Sequence, residues 1–415
     1  MKSSSMNALK VAICLLAASA LARADFKGRV IDAATHRAIP AAIVTCGAET
    51  STTAADGSFH ISETPVPLGV RAAGYRQTTI AAAAFHNATP DIALQPFHPK
   101  ALYLSFYGIG SHALRDPVLA LASRGSINAL VIDMKGDRGL IPYPSSVALA
   151  ASVGANRIIT VKDIRGLVQD LHARGLYLIS RIVVFKDNPL AEARPDLAVK
   201  SSANKLWRDR EGLAWLDPSK KEAWTYSLDI AVEAAHNGFD EIQFDYVRFP
   251  DAKGVAYSVP NTEHNRVAAL SGFLTEARAR LSPLNVFLAA DVFGYIPWNT
   301  NDTDIGQRIE KMAPLVDYLC PMLYPSGFQF GIPGFRIPVA HPYEIVRLSL
   351  DRAALRSGLA PVHFRPWLQA FRDYAFDKRV FGPAEIAAQI RASQEFGSDG
   401  WMLWNPHNVY SGNGL

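Results

Sequence analysis

Short apolar stretches alternate with amphipathic segments of helical spacing from Ala101 onward. This alternation favours a parallel sheet, because parallel strands need long crossover connections that are usually helices. The predicted strands are residues 101–107, 128–134, 176–184, 241–247, 286–293, 316–323, 363–370 and 399–405. Eight strands with helical segments between them predict a (β/α)8 TIM barrel over residues 101–415. The alternative, a doubly wound open sheet, usually carries a Gly-rich phosphate loop, and Gly108-Ile109-Gly110 lacks the third glycine.

The first residues have a different composition. Residues 1–24 combine two lysines, an apolar run and the small-x-small triplet Ala22-Arg23-Ala24. This is the layout of a cleavable secretory signal peptide, and it is too short for a membrane span. We therefore expect cleavage before Asp25, a secreted or periplasmic protein, and no membrane span after cleavage.

Residues 25–95 contain strand patterns and turns only, with Asp56-Gly57 as a hairpin signal. They predict a small N-terminal all-β sandwich, joined to the barrel by a linker at residues 96–100. The order GRVIDAATHRAIPAAIVTC, TTAADGSFHI and VRAAGYRQ resembles the carboxypeptidase regulatory-like domain, a transthyretin-like sandwich. That resemblance implies a spacer or stabilising role beside an extracellular enzyme.

The charge composition excludes some classes of protein. The 42 basic and 38 acidic residues give a net charge of +4, and no run of Lys or Arg marks a nucleic-acid surface. The 11 histidines are scattered without an H-x-x-x-H or C-x-x-C pair, so no structural metal site is predicted. No cofactor and no nucleic-acid partner are expected, and the sequence does not indicate an oligomeric state.

The segment EIQFDYVRFP, residues 241–250, places Asp245 and Arg248 in an otherwise apolar strand. A buried charge costs several kcal/mol unless it is paired or used. The fifth predicted strand ends in a second carboxylate, Asp291. Adjacent strands are about 5 Å apart, so these two carboxyls are predicted to face one another at the carboxyl end of the barrel, where barrel active sites lie.

Two carboxyl groups that flank a glycosidic bond are the minimum equipment for hydrolysing it. We predict Asp245 as the nucleophile or general base, with Arg248 paired to it and keeping it ionised. We predict Asp291 as the general acid, its pKa raised by burial and by its anionic neighbour.

Charged, amide and aromatic side chains near the other strand ends suit sugar hydroxyls and sugar rings. The candidate substrate-binding residues are Tyr107, Asp133, Lys135, Tyr246, Arg248, Tyr295, Tyr324, Gln369 and Trp404. Trp401 and Trp404 are three residues apart and so face opposite ways in a strand, which favours Trp404, the residue nearer the strand end. The stretch after the third strand, with Trp207 and Trp215, is predicted to form a lid or a subsite wall.

The pieces VIDMKGDRG, LISRIVVFKDN, AWLDPSKKE, EIQFDYVRFP, ADVFGY, DYLCPMLYPSGF and DGWMLWNP resemble the putative glycosyl hydrolase family of exported bacterial barrels. The resemblance covers residues 101–407 and implies cleavage of glycosidic bonds in a polysaccharide or oligosaccharide. A more distant resemblance to the α-amylase clan implies a nucleophile at Asp245 and an acid/base on the fifth strand. That clan usually has glutamate where this sequence has Asp291.

Alternatives stay open at this point. Asp245 and Arg248 could form a structural pair in a non-catalytic polysaccharide-binding or assembly protein with a decayed active site. Asp133, Asp245 and Asp291 could hold a divalent metal. Asp291 could cap the following turn, and Asp133 with Lys135 could be an ion pair at the rim.

Overall fold

The computed structural model describes residues 24–63, 66–85 and 89–415. The predicted signal peptide, residues 1–24, therefore lies almost entirely outside the described residues. No helix in the described ranges is both long enough and apolar enough to cross a membrane.

A small all-β region precedes the barrel, as the sequence predicts. Its strands in the described ranges are β1 (Ala24–Asp32), β2 (Ile43–Cys46), β3 (Glu49–Thr52), β4 (Ser58–Glu63), β5 (Leu68–Arg71), β6 (Thr78–Ile80) and β7 (Asp91–Leu94). They pair in the orders β4-β1-β7 and β3-β2-β5-β6. One hydrophobic cluster joins the two sheets, with Phe26 and Val30 from the first and Val44 and Val70 from the second. We call this region the sandwich.

The remaining strands are β8 (Lys100–Leu104), β9 (Ala129–Lys135), β10 (Tyr177–Val183), β11 (Lys200–Ser201), β12 (Glu241–Asp245), β13 (Val255–Ala256), β14 (Phe287–Val292), β15 (Tyr318–Pro321), β16 (Trp367–Gln369) and β17 (Trp401–Trp404). Eight of them form a parallel sheet in the order β15-β14-β12-β10-β9-β8-β17-β16. Isolated parallel bridges, Leu319 with Phe364 and Met322 with Trp367, link its two outer strands. The sheet is thus nearly closed into the predicted barrel, while β11 and β13 pair separately.

The helices are α1 (Phe106–Gly110), α2 (His112–Ser123), α3 (Ala148–Ser152), α4 (Ile164–Ala173), α5 (Asn188–Ala193), α6 (Lys221–His236), α7 (Glu263–Leu281), α8 (Ile309–Met312), α9 (Pro342–Ser357) and α10 (Pro383–Phe396). Strand β8 is shorter than the sequence predicts. The Ser105 hydroxyl accepts a hydrogen bond from the Gly108 amide at 3.1 Å and so starts α1 directly after β8. Tyr107 therefore lies on a helix and not at a strand end.

Strand periodicity decides which side chains reach the inside of the barrel. Val131 and Ile179 belong to the interior cluster, and the alternate residues Leu130 and Leu178 pack on the helix side. The register between β9 and β10 shifts beyond the pairing of Arg181 with Asp133, since Ile182 next pairs with Lys135. Such a bulge turns the following side chain. Asp133 therefore faces inward and Lys135 faces outward.

The sandwich covers the amino-terminal end of the barrel. The buried Arg71 donates from Nη1 to the carbonyl oxygen of Ser282 at 3.2 Å. The Gly74 amide donates to the hydroxyl of Tyr318, the first residue of β15, at 3.2 Å. The opposite end, where the strands finish, stays clear of these contacts.

Candidate functional site

A cavity of about 650 Å3 opens at the carboxyl ends of the strands. Its volume lies within the range of sites for small ligands. Aromatic side chains line much of it: Trp207, Trp215, Tyr246, Phe293, Tyr324, Trp367 and Trp404. We call this cavity the cleft. The stretch with Trp207 and Trp215 contributes part of its wall.

Arg181, on β10, joins the carboxylates at the base of the cleft. Its Nη1 donates to Asp133 at 2.7 Å and its Nη2 to Asp137 at 2.7 Å. Nε and Nη2 both donate to Oδ2 of Asp245, at 3.0 and 2.6 Å. Burial disfavours the charge of Arg181, but the three carboxylates together raise the pKa of its guanidinium well above the ordinary value. Arg181 is not among the residues predicted for the site, although a lone cation in the apolar strand LYLISRIVV is as anomalous as Asp245 in its own strand.

Asp245 closes β12 and lines the cleft, with 6% of its surface exposed. Besides Arg181, the amide of Tyr246 donates to its Oδ1 at 2.6 Å. Tyr246 has a φ of +51°, in the left-handed region that a tyrosine rarely adopts. This residue turns the chain out of the strand, into the wall of the cleft.

The predicted pairing of Arg248 with Asp245 is wrong. The turn at Tyr246 directs Arg248 along the cleft wall, and Arg181 already occupies the carboxylate. Nη1 of Arg248 donates to the carbonyl oxygen of Phe249 at 3.1 Å. Its guanidinium lies 4.9 Å from the ring centre of Trp215 and 5.1 Å from that of Tyr246.

Asp291, on β14, lies beneath the cleft with 1% of its surface exposed. Since Phe244 pairs with Ala290, the following residues Asp245 and Asp291 lie at the same level near the carboxyl ends of neighbouring strands. Trp367 donates from Nε1 to Oδ1 of Asp291 at 2.7 Å, and among the described residues Oδ2 has no hydrogen-bond partner. Burial raises the pKa of Asp291 well above its usual range, and the charge of Asp245 raises it further. This is the direction expected of a general acid.

Asp133 and Lys135 do not pair with each other. Asp133 accepts from Arg181 and from the hydroxyl of Tyr103 at 2.7 Å each, and burial raises the pKa of its carboxyl. Lys135 is fully buried on the helix side and donates to Asp187 at 2.6 Å. The prediction that Lys135 contacts a substrate is wrong, because the register shift in β9 turns it away from the cleft.

The remaining predicted binding residues divide into two groups. Tyr246, Arg248, Tyr324 and Trp404 line the cleft, whereas Tyr107, Tyr295 and Gln369 lie outside its lining. Burial raises the pKa of the Tyr324 hydroxyl well above its usual value, and the charges of Asp291 and Asp245 add to this shift. Trp404 stacks on Tyr103 at 3.9 Å between ring centres, which leaves it one free face at most.

Tyr295 and Gln369 hold loops at the rim of the barrel. The Tyr295 hydroxyl donates to the carbonyl oxygen of Gly331 at 3.1 Å and accepts from the Phe330 amide at 2.9 Å. Gln369 is fully buried and exchanges two hydrogen bonds with Ser326, at 2.7 and 3.0 Å. The prediction that Gln369 contacts a substrate is wrong, since both ends of its amide are already engaged.

The hypothesis of a divalent metal at Asp133, Asp245 and Asp291 is not supported by the donor arrangement. Asp133 and Asp245 converge on Arg181, so a guanidinium already supplies the positive charge between them. Over the described residues, no group of three His, Cys, Asp or Glu side chains is placed to hold a metal ion.

Two solved structures are similar to this chain. A hypothetical protein from Ruminiclostridium thermocellum ATCC 27405 is 38% identical over 46% of this chain and 97% of its own, with a TM-score of 0.42. The PgaB (BpsB) glycoside hydrolase domain from Bordetella bronchiseptica is 13% identical over 75% of this chain and 95% of its own, with a TM-score of 0.57. At that identity the likeness is one of fold. A comparison with curated proteins finds no match.

The sequence profile of one family matches residues 101–410. The match contains every strand of the barrel except the first residue of β8, together with the whole lining of the cleft. The chain therefore belongs to the family described as "Putative glycosyl hydrolase domain".

Proposed function

We propose that this protein hydrolyses glycosidic bonds of a polysaccharide or oligosaccharide, with Asp245 and Asp291 as the acting carboxyl pair. One observation carries the proposal: two carboxyls lie at the same level near the ends of neighbouring strands but have different partners. Asp245 is ion-paired to Arg181 and faces the cleft, whereas Asp291 is buried beneath Trp367 with a raised pKa. A buried carboxyl with a raised pKa is suited to act as the acid beside an ion-paired carboxylate.

In the proposed reaction, Asp291 transfers its proton to the glycosidic oxygen as the bond to the anomeric carbon breaks. The proton is placed on Oδ2, because Oδ1 already accepts the hydrogen bond from Trp367. The Asp245 carboxylate attacks the anomeric carbon or takes a proton from the attacking water. Its Oδ2 is held by two donors of Arg181, so it keeps one orientation while the substrate reacts.

The aromatic lining of the cleft supports a carbohydrate substrate. Aromatic faces pack on the apolar faces of sugar rings, and Trp207, Tyr246 and Tyr324 are half-buried side chains that line the cleft. Membership of the glycosyl hydrolase family agrees with this chemistry. For residues 25–95, the resemblance to carboxypeptidase regulatory-like domains supports a role as a spacer.

We also propose that the protein acts outside the cytoplasm, because residues 1–24 have the layout of a secretory signal peptide. Expression in a bacterial host with an intact export system, followed by amino-terminal sequencing of the exported protein, tests this. A mature chain that starts at Asp25 supports export, and uncleaved protein in the cytoplasm contradicts it.

A second candidate is a polysaccharide-binding protein without hydrolase activity. The observation that favours it is the low exposure of the carboxyl pair, 6% for Asp245 and 1% for Asp291. In such a protein Arg181 would hold Asp245 as part of the cleft floor, and Asp291 would serve as the acceptor for Trp367.

One experiment separates the two candidates. The protein from Asp25 onward is incubated with bacterial and plant polysaccharides, and new reducing ends are counted. The variants D245N and D291N are assayed beside it. The matched control is D351N, which removes an exposed carboxylate of α9 that pairs with Arg347.

If the hydrolase proposal is correct, D245N and D291N each lose at least about 100-fold in rate, the scale of general acid–base catalysis, and D351N does not. Retention of activity in D245N or in D291N overturns the role of that residue. Wild-type protein that binds a glycan and releases no reducing ends supports the second candidate.

A further inference from the structure

Four cations line the cleft, and they differ in their surroundings. Arg210 is exposed to solvent, so its charge is hydrated. Arg181 contacts three carboxylates, and Lys186 lies 3.0 Å from Glu211 and 3.6 Å from Asp209. In residues 24–63, 66–85 and 89–415, no carboxylate oxygen lies within 4.0 Å of a guanidinium nitrogen of Arg248. Arg248 is therefore a cleft cation whose charge the described residues leave without a direct counter-ion.

The guanidinium of Arg248 is nonetheless held in a fixed position. It lies over the rings of Trp215 and Tyr246, and one nitrogen donates to the backbone at Phe249. Within the described residues, its other N–H donors have no protein acceptor. Burial lowers the pKa of Arg248, since the side chain loses hydration without gaining an ion pair. The result is a rigid planar fork of donors that faces the cleft.

We propose that Arg248 binds a carboxylate of the substrate, so that the cleft takes an acidic glycan built with uronic acids. This inference rests on the proposed function and names its substrate class. A carboxylate matches the planar guanidinium with two parallel hydrogen bonds and supplies the missing negative charge. A neutral sugar hydroxyl offers single hydrogen bonds and leaves the half-buried charge uncompensated.

The place of Arg248 along the chain locates this subsite. Arg248 follows Asp245 by three residues, and the turn at Tyr246 sets both side chains in one cleft. Three carboxylates beyond ion-pair distance also act on Arg248 through their charge, and each has its own environment. Asp245 is paired with Arg181, Asp209 accepts from Trp215 at 2.9 Å and faces Lys186, and Asp251 is exposed. The carboxylate-bearing sugar therefore lies beside the sugar whose bond is cleaved.

The test compares acidic polysaccharides with carboxyl-reduced forms of the same polymers. Polygalacturonate, alginate and hyaluronan serve as probes, since reduction converts each carboxylate to a hydroxymethyl group and keeps the linkages. Chondroitin and chondroitin sulfate form a second pair that separates a carboxylate site from a sulfate site. Binding is measured by titration calorimetry and cleavage by new reducing ends.

The variants are R248Q and R248K, with R352Q as the matched control. Arg352 likewise lies over a tryptophan ring, at 5.1 Å from Trp298, and donates to the carbonyl oxygen of Pro297, but it is not part of the cleft lining. We expect wild-type protein to favour at least one carboxylated polymer over its reduced form by at least about tenfold. R248Q should lose this preference, R248K should regain part of it, and R352Q should keep it.

Several results would overturn the carboxylate subsite. One is that the wild-type protein binds every carboxyl-reduced polymer as well as the carboxylated polymer, or better. Another is that R248Q loses affinity equally for both forms. A third is that the preference depends on sulfate alone. Failure of the hydrolase proposal gives a different result: Arg248-dependent binding of the carboxylated form without new reducing ends. Cleavage that shows no preference for the carboxylated form leaves the hydrolase in place and removes the subsite.

Discussion

Replacing Arg181 with methionine tests whether the ionic network holds the floor of the cleft together. Methionine keeps much of the side-chain volume and removes the charge and all hydrogen-bond donors. Two of the carboxylates that Arg181 contacts are buried, Asp133 at 2% and Asp245 at 6% exposure. Asp137 has 39% of its side chain exposed and can be hydrated instead.

Removing one partner of a buried ion pair costs about 3–5 kcal/mol, because the remaining charge stays buried without compensation. With two buried carboxylates affected, we expect R181M to lower the free energy of unfolding by at least about 3–5 kcal/mol at neutral pH. This loss of stability should become smaller as the pH is lowered. Burial raises the pKa of Asp133 and the charge of Arg181 lowers it, so without Arg181 the folded protein takes up protons at higher pH than the unfolded chain.

All 7 tryptophans lie between Trp207 and Trp404, so intrinsic fluorescence during urea unfolding reports on the barrel alone. The assay compares wild type and R181M at about pH 7 and about pH 5, where protonation should relieve part of the deficit. The control is R194M, which removes a pair exposed at 48% and 56% and should change stability little. A deficit in R181M no larger than in R194M, or one that does not shrink at the lower pH, would refute this account of the network.

Contacts outside the Arg181 network support three further predictions. W367F removes the hydrogen bond that lowers the pKa of Asp291, so the alkaline limb of the pH–activity profile should move to higher pH; an unmoved limb contradicts the assignment of Asp291 as the acid. D291N should lose activity, yet near neutral pH it should unfold at an equal or higher temperature than the wild type. The reason is that the pKa of Asp291 is raised in the fold, so ionisation of this carboxyl destabilises the wild type as pH rises. Differential scanning calorimetry measures the unfolding temperatures. K135M should lower the free energy of unfolding by about 3–5 kcal/mol by leaving Asp187 unpaired, without altering KM, and a raised KM would place Lys135 in the cleft after all.

The fold could be predicted because its signals are local. Each barrel strand is an apolar run bounded by helical segments, and this pattern needs no knowledge of distant contacts. The first barrel strand, predicted over residues 101–107, ends at Leu104 for an equally local reason. Ser105 caps a helix there, and the apolar residues continue from the strand into the helix without a break in the pattern. The parity argument for Trp401 and Trp404 is confirmed in the same way: the first packs on the helix side and the second lines the cleft.

The partners of charged residues could not be predicted in the same way. Asp245 and Arg248 are close in sequence, but the cation that reaches Asp245 comes from another strand, 64 residues away. Lys135 shares the parity of Asp133 in sequence, and the register shift reverses its side. Which residues pair across a sheet depends on the register between strands. The alternation of side chains along one strand does not determine that register.

The sandwich and the cleft lie at opposite ends of the barrel. The sandwich contacts the barrel at Ser282 and Tyr318, where strands begin, and the cleft opens beyond Asp245 and Asp291, where strands end. The 5 residues of β12 and the 6 residues of β14 span roughly 17 and 20 Å at about 3.3 Å per residue. The protein could therefore be attached through the sandwich to a bead, a sensor surface or a fused binding module. In that orientation the cleft would face the solvent and stay accessible to long polysaccharide chains.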